Sequence, residues 1–189
     1  MTERDLLVDC LRRLNRTDIN YMLTGSMVSN YWGIPRTTHD LDFVLQLPPS
    51  DAPKLIQSFR DDFYVDEAAI HAAYRPPFQF NAIDTRSALK VDFWLLTPNS
   101  FEREMFGRRV RTTVFGETAW IATAEDVILH KLYWNLLTPS ERQLGDAAGV
   151  VSVQGHNLHL DYLRHRADEL KVRATLDDLL AGRIRPKAT

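Results

Sequence analysis

Cysteine is almost missing from this chain: Cys10 is the single thiol among 189 residues. No disulfide can form within the chain, so its core must hold the fold together. That thiol sits in an amphipathic N-terminal pattern and reads as a small buried hydrophobe in a reducing compartment. Long apolar runs are missing too. No stretch approaches the roughly 20 residues that span a bilayer, and the opening TERDLLVDCLRRL is too charged for a secretory signal. The expected location is therefore cytoplasmic, with no membrane partner. Charge of one sign is also scarce. A formal net charge of −2 gives no global basic field for nucleic acid, although a local patch is compatible with it. Internal repeats and low-complexity segments are absent. The six histidines form no convincing metal set, and His156-x-x-His159, at a loop and helix start, is a weak zinc pattern.

Apolar residues at 44% and charged residues at 25% are those of an ordinary globular domain. Residues 2–16 predict a helix, with Thr2 and Asp5 spaced as a cap and Leu6, Leu7, Cys10, Leu11 and Leu14 on one stripe. Ile19 to Leu23 predicts a strand, Met27 to Trp32 a short helix, and the alternating stretch through Asp40 and Asp42 a strand running to Leu47. Pro48-Pro49 ends that strand, and Ser50 is placed to cap a helix to about Phe59. Phe63 to Val65 predicts a short strand, and 67–77 leans to a short helix. Hairpins are expected at 78–96, across Asp84-Thr85-Arg86-Ser87, and at 109–121, around Gly116. From Thr123 onward the chain reads as helices, with Gly182 at a helix C-terminus and a loose tail, IRPKAT. The expected architecture is α/β (α+β): a mixed β-sheet flanked by helices, with a C-terminal helical lobe. Residues 1–122 would form the core and 123–189 the lobe packed on it as a single compact unit.

The chain is organised around LTGSMVSNYWGIPRTTHDLDFVLQL. A glycine allows a ligand to approach the backbone closely, and the free N–H groups at the start of the following helix bind anions. Gly25-Ser26 is therefore a candidate phosphate turn, though Thr-Gly-Ser turns are also common as plain connections. On the next strand Asp40 and Asp42 project to one side, while Leu41, Phe43 and Leu45 project to the other. Two like charges held that close repel, and a cation between them removes the penalty. In the strand Leu89 to Leu96, Asp92 lies opposite the apolar set Leu89, Val91, Phe93 and Leu95. Should that strand lie beside the first, three hard oxygen donors share a face suited to Mg²⁺ or Mn²⁺. The third acid would be placed as general base towards a hydroxyl. The alternative is a strand end with solvated acids.

Lys131 falls on the apolar stripe of its helix, where an unpaired ammonium is costly. Arg142 and Asp146, four apart on the next helix, offer a partner. Lys131 either reaches a phosphate or snorkels to the surface. Arg108, Arg109 and Arg111 mark a small basic spot, read as a solvated edge or a nucleic-acid contact.

The order Gly25-Ser26, short helix, Asp40-Leu41-Asp42 and a later lone Asp92 resembles the polymerase-β-type nucleotidyltransferase superfamily. With Arg36-x-Thr38 ahead of the acids, and Lys131 and Arg142…Asp146 on later helices, it is similar to the bacterial branch of abortive-infection (type IV toxin–antitoxin) nucleotidyltransferase toxins and their uncharacterised relatives. The C-terminal LDYLRHRADELKVRATLDDLL fits the same pattern. That resemblance implies a nucleotidyltransferase-like sheet and transfer of a nucleoside monophosphate from an NTP donor to an acceptor hydroxyl, with Mg²⁺ or Mn²⁺ and pyrophosphate release. It implies metal and catalytic roles for Asp40, Asp42 and Asp92. Gly25, Ser26, Arg36, Thr38, Lys131 and Asp146 would make the nucleotide side. The acceptor is RNA or tRNA, protein or a small molecule, and a cognate antitoxin is an implied partner. Two features depart from the pattern: Met27-Val28-Ser29 lacks the small and basic residues of other branches, and the chain is short beside many toxin relatives. A catalytically inactive nucleotide-binding or regulatory module, as one half of a toxin–antitoxin pair, is the alternative. A sugar-nucleotide glycosyltransferase using Asp-x-Asp would need a larger nucleotide-binding domain.

Overall fold

The computed structural model describes residues 2–186; the end of the IRPKAT tail lies outside them. Two compact units result: residues 1–24 with 39–122, and residues 25–38 with 123–189. The segment around the Gly25-Ser26 turn thus groups with the C-terminal helices.

In the first unit, seven strands form one mixed sheet in the order β3-β4-β5-β2-β1-β7-β6. They are β1 (Asn20–Thr24), β2 (Leu41–Gln46), β3 (Phe63–Val65), β4 (Gln79–Asp84), β5 (Lys90–Leu95), β6 (Val110–Val114) and β7 (Glu117–Ile121). The neighbours β2/β5 and β1/β7 run parallel, and the other pairs antiparallel. Alternation decides which face is core. Phe43, Phe80 and Phe93 occupy one row of register partners, fully or nearly fully buried. Their rings stack, Phe43 on Phe93 at 5.8 Å and Phe80 on Phe93 at 5.3 Å between centroids. Such pairs add about 0.5–1.5 kcal/mol each beyond the area they bury. Helix α1 (Glu3–Asn15) packs in this unit with Leu6, Leu7, Cys10, Leu11 and Leu14 buried, as its stripe predicts. The Thr2–Asp5 capping box forms in full. Burial pushes the Cys10 thiol far above its ordinary range, leaving it an inert core group.

Helix α3 (Ala52–Phe59) does not use Ser50 as its cap. Pro49 instead opens a 3₁₀ turn over Pro49–Asp51, with its fixed φ suited to a first helical position. Helix α4 (Glu67–Ala72) settles the ambiguous 67–77 stretch, and α5 (Ser100–Arg108) starts from an Asn99 cap. Asp84 belongs to β4 rather than the turn. It is fully buried, and its carboxylate accepts from Arg86 and from the Ser87 backbone and hydroxyl. Arg109 is no solvated edge. Its guanidinium lies over the rings of Phe106 and Trp120, at 4.2 and 5.0 Å from their centroids.

The second unit is helical: α2 (Gly25–Trp32), α6 (Ala124–Leu137), α7 (Glu141–Gln154), α8 (Leu160–Glu169) and α9 (Arg173–Leu180). Gly25 takes φ of +67°, the left-handed region that a side chain disfavours, and α2 begins there directly after β1. At the far end of α2, a Cβ on Gly33 would meet the Val150 backbone nitrogen at 2.7 Å, so α2 and α7 approach backbone to backbone. Thr123 caps α6: its hydroxyl accepts from the Asp126 N–H and donates to the Asp126 carboxylate, which also accepts from the Tyr162 hydroxyl at 2.6 Å. Gly182 follows α9 at φ +72°, as expected of a helix end. Among the described residues no helix is long and apolar enough to cross a membrane.

Candidate active site

The second face of the sheet carries the acids. Asp42 on β2 is the direct register partner of Asp92 on β5, and Thr24 on β1 is the partner of Asp42 on its other side. Adjacent strands lie about 4.8 Å apart and opposed residues share a face. Thr24, Asp42 and Asp92 therefore make a polar row across three strands, with Asn81 of β4 continuing it. The same alternation that buries Phe43 and Phe93 sends Asp42 and Asp92 to this side.

The row is less wet than the sequence suggests. Asp92 is 8% exposed, Asp42 is half-buried, and Asp40, one residue ahead of β2, is exposed. Trp94, two residues beyond Asp92, donates its indole N–H to Asp42 Oδ1 at 3.4 Å. Lys90, two residues before Asp92, pairs with its Oδ2 at 2.8 Å, while Asp92 Oδ1 is buried with no hydrogen-bond partner. Among the described residues, no three acidic, histidine or cysteine groups are gathered as a ready-made ion cage. The donor chemistry still suits a hard divalent ion: paired carboxylates, one of them with an orphaned buried oxygen. Alternation alone points to Lys90 and Trp94 as neighbours of the acids, since both lie at period two from Asp92.

A second cluster lies within the helical unit. Arg36 clamps Asp146 with both arms of its guanidinium, Nε to Oδ1 at 2.6 Å and the second nitrogen to Oδ2 at 2.8 Å. Lys131 Nζ reaches the same Oδ2 at 2.8 Å. Ser26 Oγ accepts from Arg36 at 2.8 Å and from Lys131 at 3.4 Å. Asn30 holds the loop in place, donating to the Arg36 carbonyl at 2.7 Å and accepting the Arg36 N–H at 3.1 Å. Thr38, closing this segment, is 9% exposed. Lys131, 5% exposed, is thus a paired buried cation and not a snorkelling one, and its carboxylate comes from Asp146. The second cation on that carboxylate is Arg36, while Arg142 is exposed. Burial alone would raise the Asp146 carboxyl, but Arg36 and Lys131 outweigh it and hold it below its ordinary value. Two cations on one carboxylate leave the cluster a net positive charge beside a serine hydroxyl, an arrangement suited to an anion.

His130, next to Lys131, accepts the Trp134 indole N–H at 2.8 Å, and burial first and Lys131 second push its imidazole down to about 4. His159 is a helix cap, its Nδ1 accepting the Tyr162 N–H at 3.2 Å.

No protein-family model and no curated protein matches the sequence. Solved structures do match the architecture. An antigenic nucleotidyltransferase-like protein from Paracoccidioides brasiliensis superposes with a TM-score of 0.56 at 15% identity, covering 98% of this chain and 94% of its own. ANT(2")-Ia in complex with adenylyl-2"-tobramycin superposes at 0.60 with 10% identity, covering 92% of this chain and 99% of its own. The solution structure of the antibiotic-resistance factor ANT(2'')-Ia gives 0.55 at 10% identity, covering 95% and 94%. The fold is that of the nucleotidyltransferases. Within that fold the sheet unit carries the acid row and the helical unit carries the Arg36–Asp146–Lys131 cluster.

Proposed function

We propose that this chain transfers a nucleoside monophosphate from an NTP to an acceptor hydroxyl with release of pyrophosphate. The observation that carries this reading is the register pairing of Asp42 with Asp92 on parallel neighbours, Asp40 just upstream, in a nucleotidyltransferase fold. Asp40, Asp42 and Asp92 would hold Mg²⁺ or Mn²⁺. The ion, when bound, supplies polarisation of the reacting phosphate and neutralises its developing charge. Asp92 accepts the proton of the acceptor hydroxyl. The new bond joins the acceptor oxygen to the α-phosphorus, the bond to the bridging oxygen breaks, and the electron pair leaves with pyrophosphate. On the nucleotide side, Gly25 and Ser26 offer backbone N–H groups and a hydroxyl to phosphate oxygens, and Arg36 and Lys131 supply charge. Asp146 fixes both cations in position, Asn30 holds the Arg36 backbone, and the buried Thr38 completes the nucleotide side. The likeness to ANT(2")-Ia, solved with adenylyl-2"-tobramycin, supports a small-molecule acceptor over RNA, tRNA or protein.

Incubating the protein with Mg²⁺, labelled NTPs and candidate acceptors, beside Asp42→Asn, tests the reading. Pyrophosphate release from the wild type alone is the expected result. Equal release from both proteins removes it.

A second reading is favoured by one set of contacts: Lys90 already engages Asp92, and Asp146 already engages Arg36 and Lys131. On that reading the chain is a nucleotide-binding or regulatory module without turnover, one half of a cytoplasmic toxin–antitoxin pair. Calorimetric NTP binding with no pyrophosphate release supports it against the first.

A further inference from the structure

Among the described residues of the sheet unit, three side-chain oxygens are buried without a hydrogen-bond partner: Thr24 Oγ1, Tyr74 Oη and Asp92 Oδ1. Thr24 Oγ1 and Asp92 Oδ1 lie in one row, either side of Asp42. Thr24 is 2% exposed. Ser29 and Thr17, by contrast, are satisfied: Ser29 donates to the Ser26 carbonyl at 2.9 Å, and Thr17 to the Leu14 carbonyl at 2.7 Å. An orphaned buried hydroxyl is destabilising, because it loses its water without replacement. Valine has the same shape, prefers strands equally and carries no such penalty. What sets Thr24 apart is its place: its unpaired hydroxyl shares a register row with Asp42 and the unpaired Asp92 oxygen, and that juxtaposition points to a ligand.

We propose that Thr24 Oγ1 is a third oxygen of the Asp42–Asp92 cation site, on its β1 side. There it accepts a hydrogen bond from a water in the shell of the divalent ion. The inference rests on the reading of this row as a cation site. Mg²⁺ and Mn²⁺ keep several waters when held by few carboxylates, and those waters need acceptors. Outer partners of this kind commonly change metal affinity ten- to a hundredfold. Asp42 retains its Trp94 contact and Asp92 its Lys90 contact, so Thr24 Oγ1 and Asp92 Oδ1 are the uncommitted pair. Thr24 is a positioning residue in this scheme, since it meets the ion through water.

The test is Mn²⁺ binding by calorimetry and electron paramagnetic resonance, without nucleotide, on wild type, Thr24→Val, Thr24→Ala, Thr24→Ser and Asp42→Asn. Thr24→Val should weaken Mn²⁺ binding about tenfold, Thr24→Ala likewise, and Thr24→Ser should stay within about twofold of wild type because it keeps the hydroxyl. Without metal, Thr24→Val should melt above wild type, since it removes an unpaired buried hydroxyl. Unchanged Mn²⁺ affinity in both hydroxyl-less variants, with Asp42→Asn abolishing binding, overturns the inference and leaves the cation reading standing. A lower melting point for metal-free Thr24→Val also overturns it, because the hydroxyl would then have a protein partner. Equal binding by wild type and Asp42→Asn removes the cation reading itself, as does a wild type that takes up no Mn²⁺ at millimolar concentration.

Discussion

Lys90 and Asp92 lie two residues apart on β5 and meet as an ion pair at 2.8 Å. The lysine side chain is half exposed and the carboxylate nearly buried, so the contact is easily exchanged from the lysine end. A divalent ion at Asp92 must displace this ammonium or tolerate it close by. Replacing Lys90 with Met should therefore tighten Mn²⁺ binding about fivefold, roughly 1 kcal/mol. A Mn²⁺ titration in low salt checks this, and weaker binding by Lys90→Met would show that the lysine assists the anionic ligand instead.

Asp146 is the hinge pin of the helical unit's charge cluster. Removing it takes from the nearly buried Lys131 the carboxylate it pairs with at 2.8 Å, and from Arg36 its two-pronged acceptor. Breaking a buried ion pair from one side costs about 3–5 kcal/mol. Asp146→Asn should lower the urea midpoint accordingly, and a loss below about 1 kcal/mol would mean that solvent reaches these cations.

Neighbouring positions 92 and 93 should separate activity from stability. Phe93 is 1% exposed and stacked between Phe43 and Phe80, so Phe93→Ala should cost about 3–5 kcal/mol. Asp92→Asn removes one half-exposed ion pair and no packing, so its stability should stay within about 1 kcal/mol of wild type. Its pyrophosphate release should vanish. Thermal melts alongside the release assay would show both patterns.

His130 makes stability depend on mild acid. Its imidazole is depressed to about 4 from an ordinary 6.5, by burial first and then by Lys131. The unfolded chain therefore takes up this proton first as pH falls. The neutral form's contribution is complete above pH 6.5 and is lost progressively towards 4. His130→Gln should flatten the unfolding free energy across that window. Asp146, also depressed, acts lower: its contribution is complete above its unfolded value of 3.8 and disappears as pH falls through its folded one. Urea titrations at several pH values resolve the two.

The sheet and its acids were legible because their signals are local. Thr2 and Asp5 lie three apart and form the box their spacing predicts, and the alternation from Leu89 to Leu95 places Asp92 away from the core. The Arg36–Asp146 clamp was not legible, since its partners are 110 residues apart and no periodicity links them. Types and order had suggested Arg142 as the companion of Asp146; packing chose Arg36. Asp84 misled for a different reason. The turn-like Asp-Thr-Arg-Ser places the acid in the hairpin turn, yet it closes β4 with its charge answered by Arg86. The grouping of 25–38 with the C-terminal helices was equally hidden, because it follows from Gly33 fitting against the α7 backbone.

Alternation on β2 has an evolutionary corollary. Leu41, Phe43 and Leu45 are written between Asp40, Asp42 and Val44, so core and chemistry share one reading frame along the strand. An odd-length insertion or deletion inside it would invert both at once, turning phenylalanine outward and aspartate inward. Only substitutions and even-length changes leave the core face intact, so a lineage that had lost its acids in this way would still carry the hydrophobic half of the pattern as a record of them.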